Sequence, residues 1–275
     1  MNWFRKKPSL RATVIFPTFG DAPFARWPLE SILKQSVKEI EIFIICDGSP
    51  PNMVTFFNDF AKDDRRISVF EFPKSPRTGE VYRDQLIRTK AKGKNIFYCC
   101  HDDLWFPDHI AELEIQLREH PFVNSIHVAV NESANGSMAD LIHDVIPSNI
   151  HDASCREKLL QDKLLTNFFG LTSTAHTRKA YFWLKDGWTN TPQGIWTDLY
   201  MWRKFLFKYG QSCKTLQKAT SLHFHTGVRA TWTKQQRSEE LKLVYRWIQD
   251  PVSMEKIENS INSIINHMIL NSSYH

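Results

Sequence analysis

Short apolar runs and amphipathic stretches alternate along the first half of the chain. The apolar runs are rich in β-branched residues and stop at Pro, Gly or polar clusters, which is typical of buried strands. The stretches between them repeat apolar residues at helical spacing. We predict strands at 12–16, 41–46, 67–72 and 96–100, and helices at 24–35, 52–61 and 80–91. Strands that alternate with helices predict an α/β fold with a mostly parallel sheet flanked by helices.

The second half of the chain is less regular. We predict strands at 123–130, 171–175 and 215–225, and helices at 107–119, 154–164, 176–184 and 195–209. From 233 to about 270, the pattern indicates two helices broken at Pro251. We therefore expect one domain, 1–230, with halves at about 12–106 and 107–230, followed by a C-terminal helical extension at 231–275.

Composition excludes several classes of protein. The chain has 275 residues, of which 42% are hydrophobic, and it has no apolar run of the roughly 20 residues that a transmembrane helix needs. No GxGxxG motif follows the first strand and no GxxxxGK[ST] motif is present, so neither an ordinary dinucleotide fold nor a P-loop is supported. The five cysteines are odd in number and form no CxxC pair, which favours reduced thiols and a cytoplasmic location.

The positive charge is unevenly distributed. The net charge is +5, and residues 201–246 contain ten Lys or Arg residues against two acids. A cationic surface favours an anionic partner, such as nucleotide phosphates, an anionic membrane or nucleic acid. A solvated surface with no partner is the simpler alternative.

Two adjacent carboxylates follow the fourth predicted strand. Asp102 and Asp103 lie between the apolar run 96–100 and a helix that starts after Pro107. In open α/β sheets, ligands bind at the carboxyl ends of the strands. Adjacent carboxylates repel unless they share a positive charge, and hard oxygen ligands suit Mg²⁺ or Mn²⁺. The alternative is that the two acids only cap the following helix.

Three segments resemble the motifs of family 2 glycosyltransferases, which are inverting nucleotide-sugar enzymes of the GT-A fold. Residues 14–20 are similar to the strand that ends in Pro-Thr-Tyr-Asn, and residues 29–36 to the helix that follows it. Residues 42–49 are similar to the strand before Asp-Asp-Gly-Ser. Residues 101–108, His-Asp-Asp-Leu-Trp-Phe-Pro-Asp, resemble Asp-x-Asp-Asp-x-Trp-x-Pro. The resemblance extends over about 12–230.

The chain departs from the family pattern at three positions. Cys100 replaces the acid that opens the usual triplet, Cys46 replaces the first acid of Asp-Asp-Gly-Ser, and Thr197 replaces the Glu of a Glu-Asp pair. These departures leave Asp103 with most of the expected metal binding.

The resemblance implies a reaction and its main residues. A sugar would move from a nucleotide diphosphate donor, by family precedent a UDP-sugar, to an acceptor hydroxyl in a single displacement. Asp103 and His225 would bind Mn²⁺ or Mg²⁺, and Asp198 would act as the general base. His223 and His225 both fall on the predicted strand, and His225 is our choice because it matches a late histidine of the family. A helix N-cap is the alternative for Asp198, and a structural histidine for His225.

The remaining candidate residues fall on two sides of the expected site. The nucleotide would be bound by residues from the first half: Thr18, Phe19, Asp47, Arg83 and Asp102. The acceptor would be bound by residues from the second half: His176, Trp188 and Trp196. The basic segment 227–234, with Arg229 and Lys234, is a hypothetical cover for the diphosphate.

Two other functions stay open at this point. The departures from the family pattern allow a degenerate protein that binds a nucleotide sugar without transfer. The C-terminal cations allow a basic protein that binds nucleic acid or a membrane surface. We favour the enzyme, with a glycan or lipid-linked acceptor, a role in polysaccharide biosynthesis, peripheral contact with an anionic inner membrane face, and no nucleic-acid partner.

Overall fold

A computed structural model of the chain describes residues 9–132, 137–161 and 167–272. Within these ranges the strands are β1 (Ala12–Thr18), β2 (Ile40–Asp47), β3 (Ile67–Phe72), β4 (Asn95–Tyr98), β5 (Leu104–Trp105), β6 (Phe122–Val130), β7 (Ile142–Ile146), β8 (Thr174–Thr177), β9 (Lys214–Ala219) and β10 (Ser221–Leu222). The α-helices are α1 (Arg26–Leu33), α2 (Pro51–Asp63), α3 (Glu80–Thr89), α4 (His109–Leu117), α5 (Ala153–Leu160), α6 (Arg178–Phe182), α7 (Thr197–Tyr209), α8 (Lys234–Gln249) and α9 (Pro251–Ser272).

One sheet organises the chain. Its strand order is β3-β2-β1-β4-β8-β6-β7, and β9 pairs with β6. The first four strands in this order are parallel to one another, whereas β8 is antiparallel to both β4 and β6. The predicted α/β fold, with a mostly parallel sheet flanked by helices and C-terminal helices after it, is confirmed. The predicted division of the chain at residue 230 stays a prediction.

The sheet has a buried apolar layer on each face because alternate side chains of its strands point in opposite directions. Ile15 and Tyr98 belong to one layer, and Val14 and Phe97 belong to the other. A third apolar cluster joins the C-terminal helices to the sheet, with Val128 of β6 against residues such as Val244 of α8. The extension is therefore packed onto the sheet that carries the site.

Two predicted elements differ from the observed ones for reasons of tertiary structure. The predicted strand 215–225 is divided into β9 and β10, which pair in different sheets. Between them, the Thr220 carbonyl accepts a hydrogen bond from the Phe106 amide at 2.9 Å. We expected residues 131–152 to be irregular, with a hairpin around 135–136; the segment contains β7, which pairs antiparallel with β6. Residues 133–136 lie outside the described residues.

The sheet topology places the candidate site. Strand β1 pairs with β2 on one side and with β4 on the other, so the order of strands along the chain changes direction between β1 and β4. The carboxyl ends of β1 and β4 therefore flank a topological switch point, where α/β proteins bind ligands. Among the described residues, no helix combines the length and the apolar character needed to cross a membrane.

Candidate active site

Asp103 lies in the loop between β4 and β5 and is 1% exposed. Its Oδ1 accepts hydrogen bonds from His223 Nδ1 at 2.9 Å and from the Phe224 amide at 3.0 Å. Its Oδ2 accepts a hydrogen bond from the Thr172 hydroxyl. The helix α4 has Asp108 at its N-cap, so capping of that helix does not account for Asp103.

These contacts keep Asp103 ionised. Burial alone would raise the pKa of Asp103, but the charge of His223 and the hydrogen bonds to the carboxylate outweigh burial and lower the pKa to about 2. Burial would likewise lower the pKa of His223, but the carboxylates around it, Asp103 first, raise it to about 9. The two groups therefore form an ion pair at neutral pH.

Asp102 and Cys100 lie beside this ion pair. Ligand atoms of Cys100, Asp102 and Asp103 all fall within 4.8 Å of one another. Burial and the two neighbouring carboxylates raise the pKa of the Cys100 thiol well above its usual value, so the thiol stays protonated. The hard donors here are therefore the two carboxylates, which fit Mg²⁺ or Mn²⁺ if substrate oxygens complete the coordination.

Asp198 differs from Asp103 in its surroundings. It is the second residue of α7, and Trp196 rather than Asp198 occupies the N-cap position. The Leu199 amide donates a hydrogen bond to Asp198 Oδ1 at 2.8 Å. Burial is the largest influence on Asp198 and raises its pKa, while the positive charges of Arg83 and His223 act in the opposite direction. A carboxylate with a raised pKa is a stronger base.

Arg83 connects the two sides of the site. It is 4% exposed, and its guanidinium lies 4.7 Å from the centre of the Trp188 ring. Its Nη2 donates to the Thr78 carbonyl at 2.5 Å, and the Thr78 hydroxyl donates to the Thr197 hydroxyl at 3.2 Å. Its Nε has no hydrogen-bond partner among the described residues. A buried N–H without a partner costs free energy, so Arg83 is suited to meet an anionic ligand.

Comparison with known proteins identifies the family of the chain. The family model described as Glycosyl transferase family 2 matches residues 13–182, which is more than half of the chain. The chain belongs to glycosyltransferase family 2. The match includes Asp102, Asp103 and Arg83 but ends before Asp198 and His223.

The curated relatives of this family 2 member are longer proteins. An uncharacterized glycosyltransferase of Rickettsia felis is 30% identical over 138 residues, which are 48% of this chain and 21% of the relative. The uncharacterized glycosyltransferase EpsJ of Bacillus subtilis is 35% identical over 57 residues, or 21% of this chain and 17% of EpsJ. The chain thus spans about a fifth of the length of these relatives.

Solved structures share the fold at low sequence identity. Residues 1–349 of S. aureus TarS, in complex with UDP-GlcNAc, align with a TM-score of 0.58 and 14% identity, over 78% of this chain and 58% of that one. A mannosyltransferase of Pyrobaculum calidifontis, in complex with GDP-Man and Mn²⁺, aligns with a TM-score of 0.54 and 16% identity, over 91% and 68%. At this identity the likeness supports the GT-A-like fold.

Three of the residues predicted to bind the nucleotide lie at the carboxyl ends of β1 and β2. Thr18 is buried and its hydroxyl has no hydrogen-bond partner among the described residues, whereas Phe19 is 53% exposed. Asp47 is buried and its carboxylate already has protein partners. The Ser75 hydroxyl and the Lys74 ammonium donate hydrogen bonds to its Oδ2 at 2.8 and 2.7 Å. Asp47 therefore anchors the loop after β3 as well as facing this edge of the sheet.

The acceptor-side residues are divided by burial. Trp196 is 62% exposed at the start of α7 and is open to a ligand. His176 and Trp188 are 0% and 2% exposed, and both hydrogen-bond the Tyr98 hydroxyl, at 2.7 and 3.0 Å. Direct contact of these two side chains with an acceptor is not supported by their positions. Both side chains pack inside the protein, and the Trp188 ring lies against the Arg83 guanidinium.

The histidine that contacts the acids is His223, whereas we expected His225 there. His223 contacts Asp103, whereas His225 is exposed and its Nδ1 accepts a hydrogen bond from the Gly227 amide at 3.1 Å. Residues two apart on a continuous strand would share one face, but β10 ends at Leu222, before both histidines, and their ring centres are 5.9 Å apart. Metal binding by His225 stays a prediction, and His223 joins the site.

The segment 227–234 does not cover the site with Arg229 as we expected. Arg229 is 1% exposed and forms a double hydrogen bond to Glu240 of α8, at 2.6 and 2.7 Å. Lys234 pairs with Asp21. The cation that does reach the acids is Arg237 of α8, whose Nη2 lies 3.1 Å from Asp102 Oδ2. Thr172 and Arg237 carry no local motif, so sequence reasoning had no signal for either.

Proposed function

We propose that the chain is an inverting glycosyltransferase that moves a sugar from a nucleotide diphosphate, a UDP-sugar by preference, to an acceptor hydroxyl. One observation carries the proposal: two carboxylates around His223, Asp103 and Asp198, have pKa values shifted in opposite directions. Opposite shifts within one site suit two different roles: Asp103 stays charged and can bind a metal, and Asp198 can accept a proton.

Asp198 is the proposed base. The acceptor oxygen forms a bond to the anomeric carbon while the bond from that carbon to the diphosphate oxygen breaks, and Asp198 takes the hydroxyl proton. Attack from the side opposite the leaving group inverts the configuration. The burial that raises the pKa of Asp198 makes it a better proton acceptor at neutral pH.

The leaving diphosphate requires positive charge. Asp103 and Asp102 would hold Mn²⁺ or Mg²⁺, and a divalent cation bound there supplies charge that offsets the departing diphosphate. Arg83, whose buried Nε meets no hydrogen-bond partner in the described part of the chain, can donate to the diphosphate as well. His225 remains a candidate for the same metal.

The donor would lie along the carboxyl ends of β1 and β2. The exposed face of Phe19 is suited to stack on a base, and the free hydroxyl of Thr18 can donate or accept a hydrogen bond. Two structural neighbours were solved with UDP-GlcNAc and GDP-Man, so both bases belong in a first test.

The acceptor side offers a basic groove along α7. Among the described residues, a groove of about 570 Å³ is lined by apolar and cationic side chains, including the Phe207 ring, which is 85% exposed. Arg203, Lys204 and Lys208 line it from α7, and Asp186 is its acid. This charge favours a phosphate-bearing, lipid-linked glycan as the acceptor, at an anionic membrane face. The cytoplasmic location expected from the cysteines stays a prediction.

The acceptor proposal has a matched test. Phe207→Ser should raise the KM for a lipid-phosphate acceptor several-fold and leave the KM for a short soluble glycan unchanged. Val252→Ser, at a 61% exposed position of α9, is the control. Equal effects of the two variants on the lipid acceptor would remove the groove from the account.

The alternative is a protein that binds the donor without transferring the sugar. The replacement of an acid by Cys100 at the metal site motivates it. Thermal denaturation with UDP, GDP and their sugars, with and without Mn²⁺, tests the pocket, since a ligand that binds only the folded state raises Tm. We expect a metal-dependent rise. Donor hydrolysis or transfer detected by mass then separates enzyme from binder, and no nucleotide response with steep salt-dependent DNA binding would refute both.

A further inference from the structure

Arg237 brings a positive charge from the C-terminal extension to the acid pair. Its Nη2 lies 3.1 Å from Asp102 Oδ2, and the Thr226 hydroxyl donates to the same oxygen at 2.8 Å. Arg237 and Asp102 are 135 residues apart in the chain. The helix that carries Arg237 lies outside the residues that the family model matches.

The position of Arg237 is fixed by its helix. Thr233 and Gln236 form a capping box at the start of α8, one turn before Arg237. The guanidinium of Arg237 also lies 4.3 Å from the centre of the Phe24 ring. Leu241 and Val244 of the same helix are buried against the sheet. Arg237 is therefore held at the acids by packing on both sides and does not reach them as a free surface side chain.

The guanidinium of Arg237 is only partly satisfied. Its side chain is 12% exposed, and its Nε is buried without a hydrogen-bond partner among the described residues. Asp102 accepts a hydrogen bond from only one nitrogen of the Arg237 guanidinium, Nη2. A partly used, planar set of donors is suited to phosphate oxygens, which accept two parallel hydrogen bonds from arginine.

The charges around the acids suggest what this arrangement does. Asp102 and Asp103 contribute two negative charges, and Arg237 brings a positive charge directly to Asp102. A divalent cation that arrives alone must displace or oppose Arg237 at Asp102. When the cation arrives together with a diphosphate, the negatively charged phosphate oxygens give Arg237 a new partner.

We propose that Arg237 is a donor-binding residue that occupies Asp102 in the free protein and moves its hydrogen bonds to the donor diphosphate when metal and nucleotide bind together. This inference rests on the proposed function. It makes metal binding and nucleotide binding depend on each other, because the guanidinium opposes the metal alone and favours the pair.

The test measures metal and nucleotide binding separately by titration calorimetry of the whole chain. We expect Arg237→Gln to bind MnCl₂ alone about threefold to tenfold more tightly, because the competing cation is gone. We expect the same variant to bind UDP at saturating Mn²⁺ about tenfold more weakly, because a charged phosphate contact is lost. GDP replaces UDP if GDP is the nucleotide that binds the wild type.

Two further variants make the result unambiguous. Arg246→Gln, an exposed position on the same helix, should change neither affinity. Arg237→Lys keeps the charge but not the fork, so it should keep the weak Mn²⁺ binding and lose part of the UDP affinity. It also serves if Arg237→Gln does not fold.

The inference is overturned if Arg237→Gln and Arg237→Lys change neither affinity, or weaken both together with a fall in Tm, as a purely structural role would. Failure of the proposed function has a different signature: the wild type itself would bind neither UDP nor GDP at saturating Mn²⁺. In that case the proposed donor contact of Arg237 fails too, whatever the result with MnCl₂ alone.

Discussion

Asp103 and Asp198 are chemically identical side chains placed in opposite environments. Asp103 accepts three hydrogen bonds, one of them from a protonated histidine, and its pKa falls to about 2 although it is buried. Asp198 accepts one from a backbone amide, and burial raises its pKa. The comparison shows that the partners of a buried carboxylate, more than its burial, decide whether it is a fixed charge or a base.

The largest expected effect tests Asp198 as the base. Asp198→Asn removes proton transfer but keeps the shape of the side chain. We expect turnover to fall by about 10²–10⁴-fold, with nucleotide affinity within a few-fold of wild type. Asp63→Asn, a change of an exposed acid at the end of α2 and outside the site, is the control in the same assay. A turnover for Asp198→Asn near that of the control would assign the base elsewhere.

The assignment of Asp198 as the base also predicts the direction in which kcat/KM changes with pH. A base must be deprotonated to act, so kcat/KM should fall as the pH drops through the raised pKa of Asp198. The acid limb should therefore lie at higher pH than an ordinary aspartate gives. The residual activity of Asp198→Asn should lack this limb, and a limb unchanged in the variant would contradict the assignment.

The stability of the metal-free protein should respond to the two carboxylates with opposite signs. The pKa of Asp103 is lowered when the protein folds, so its charge stabilises the fold above the unfolded value near 3.8, and this stabilisation disappears as the pH falls toward 2. At pH 7, Asp103→Asn should lower the free energy of unfolding by about 2 kcal/mol. Asp198→Asn should raise it, because a raised pKa marks a charge that folding disfavours. Urea denaturation in EDTA measures both, and shifts of equal sign would refute the contrast.

His223 predicts a further loss of stability at alkaline pH. Its pKa is raised to about 9 in the folded protein, so its contribution is complete below the unfolded value of about 6.5 and is lost as the pH rises through 9. We expect a decrease of about 1 kcal/mol between pH 6.5 and pH 10 in EDTA, after discounting the 31% exposure of the ring. The decrease should be smaller in His223→Gln, measured by the same denaturation.

The smallest expected effect concerns the hydroxyl that holds Asp103. Thr172 accepts a hydrogen bond from the Cys100 amide at 3.0 Å and donates one to Asp103. Thr172→Val should weaken Mn²⁺ binding by about 1 kcal/mol, since it removes one buried hydrogen bond. Thr172→Ser keeps the hydroxyl and should restore most of the affinity. Calorimetry with MnCl₂ distinguishes the two variants.

The parts of the molecule that follow from local pattern were predictable from the sequence. Strands 12–16 and 67–72 correspond to β1 and β3, and the two acids follow the carboxyl end of β4 as expected. Resemblance to the family directed attention to Arg83 and Asp198 before any geometry was known. These features depend on residues close together in the chain, or on motifs.

The parts that depend on distant contacts could not be predicted. The predicted strand 215–225 is divided into β9 and β10 because β10 pairs with β5, the short strand that follows the loop with Asp102 and Asp103. The choice between His223 and His225 depends on a contact between residues 120 apart in the chain, His223 and Asp103. Arg237 meets Asp102 only because α8 packs against the sheet, and Trp188 is buried by Tyr98 and its neighbours and so is not exposed to a sugar. Residue type and spacing contain none of this information.

The most direct test of the contrast between Asp103 and Asp198 is the affinity for UDP, and for GDP, of the two Asn variants with and without Mn²⁺. We predict that Asp198→Asn keeps the Mn²⁺-dependent gain in affinity and that Asp103→Asn loses it. If Asp103→Asn kept the gain while remaining folded, the metal and the diphosphate would have to be bound elsewhere, and the account of the site would be contradicted.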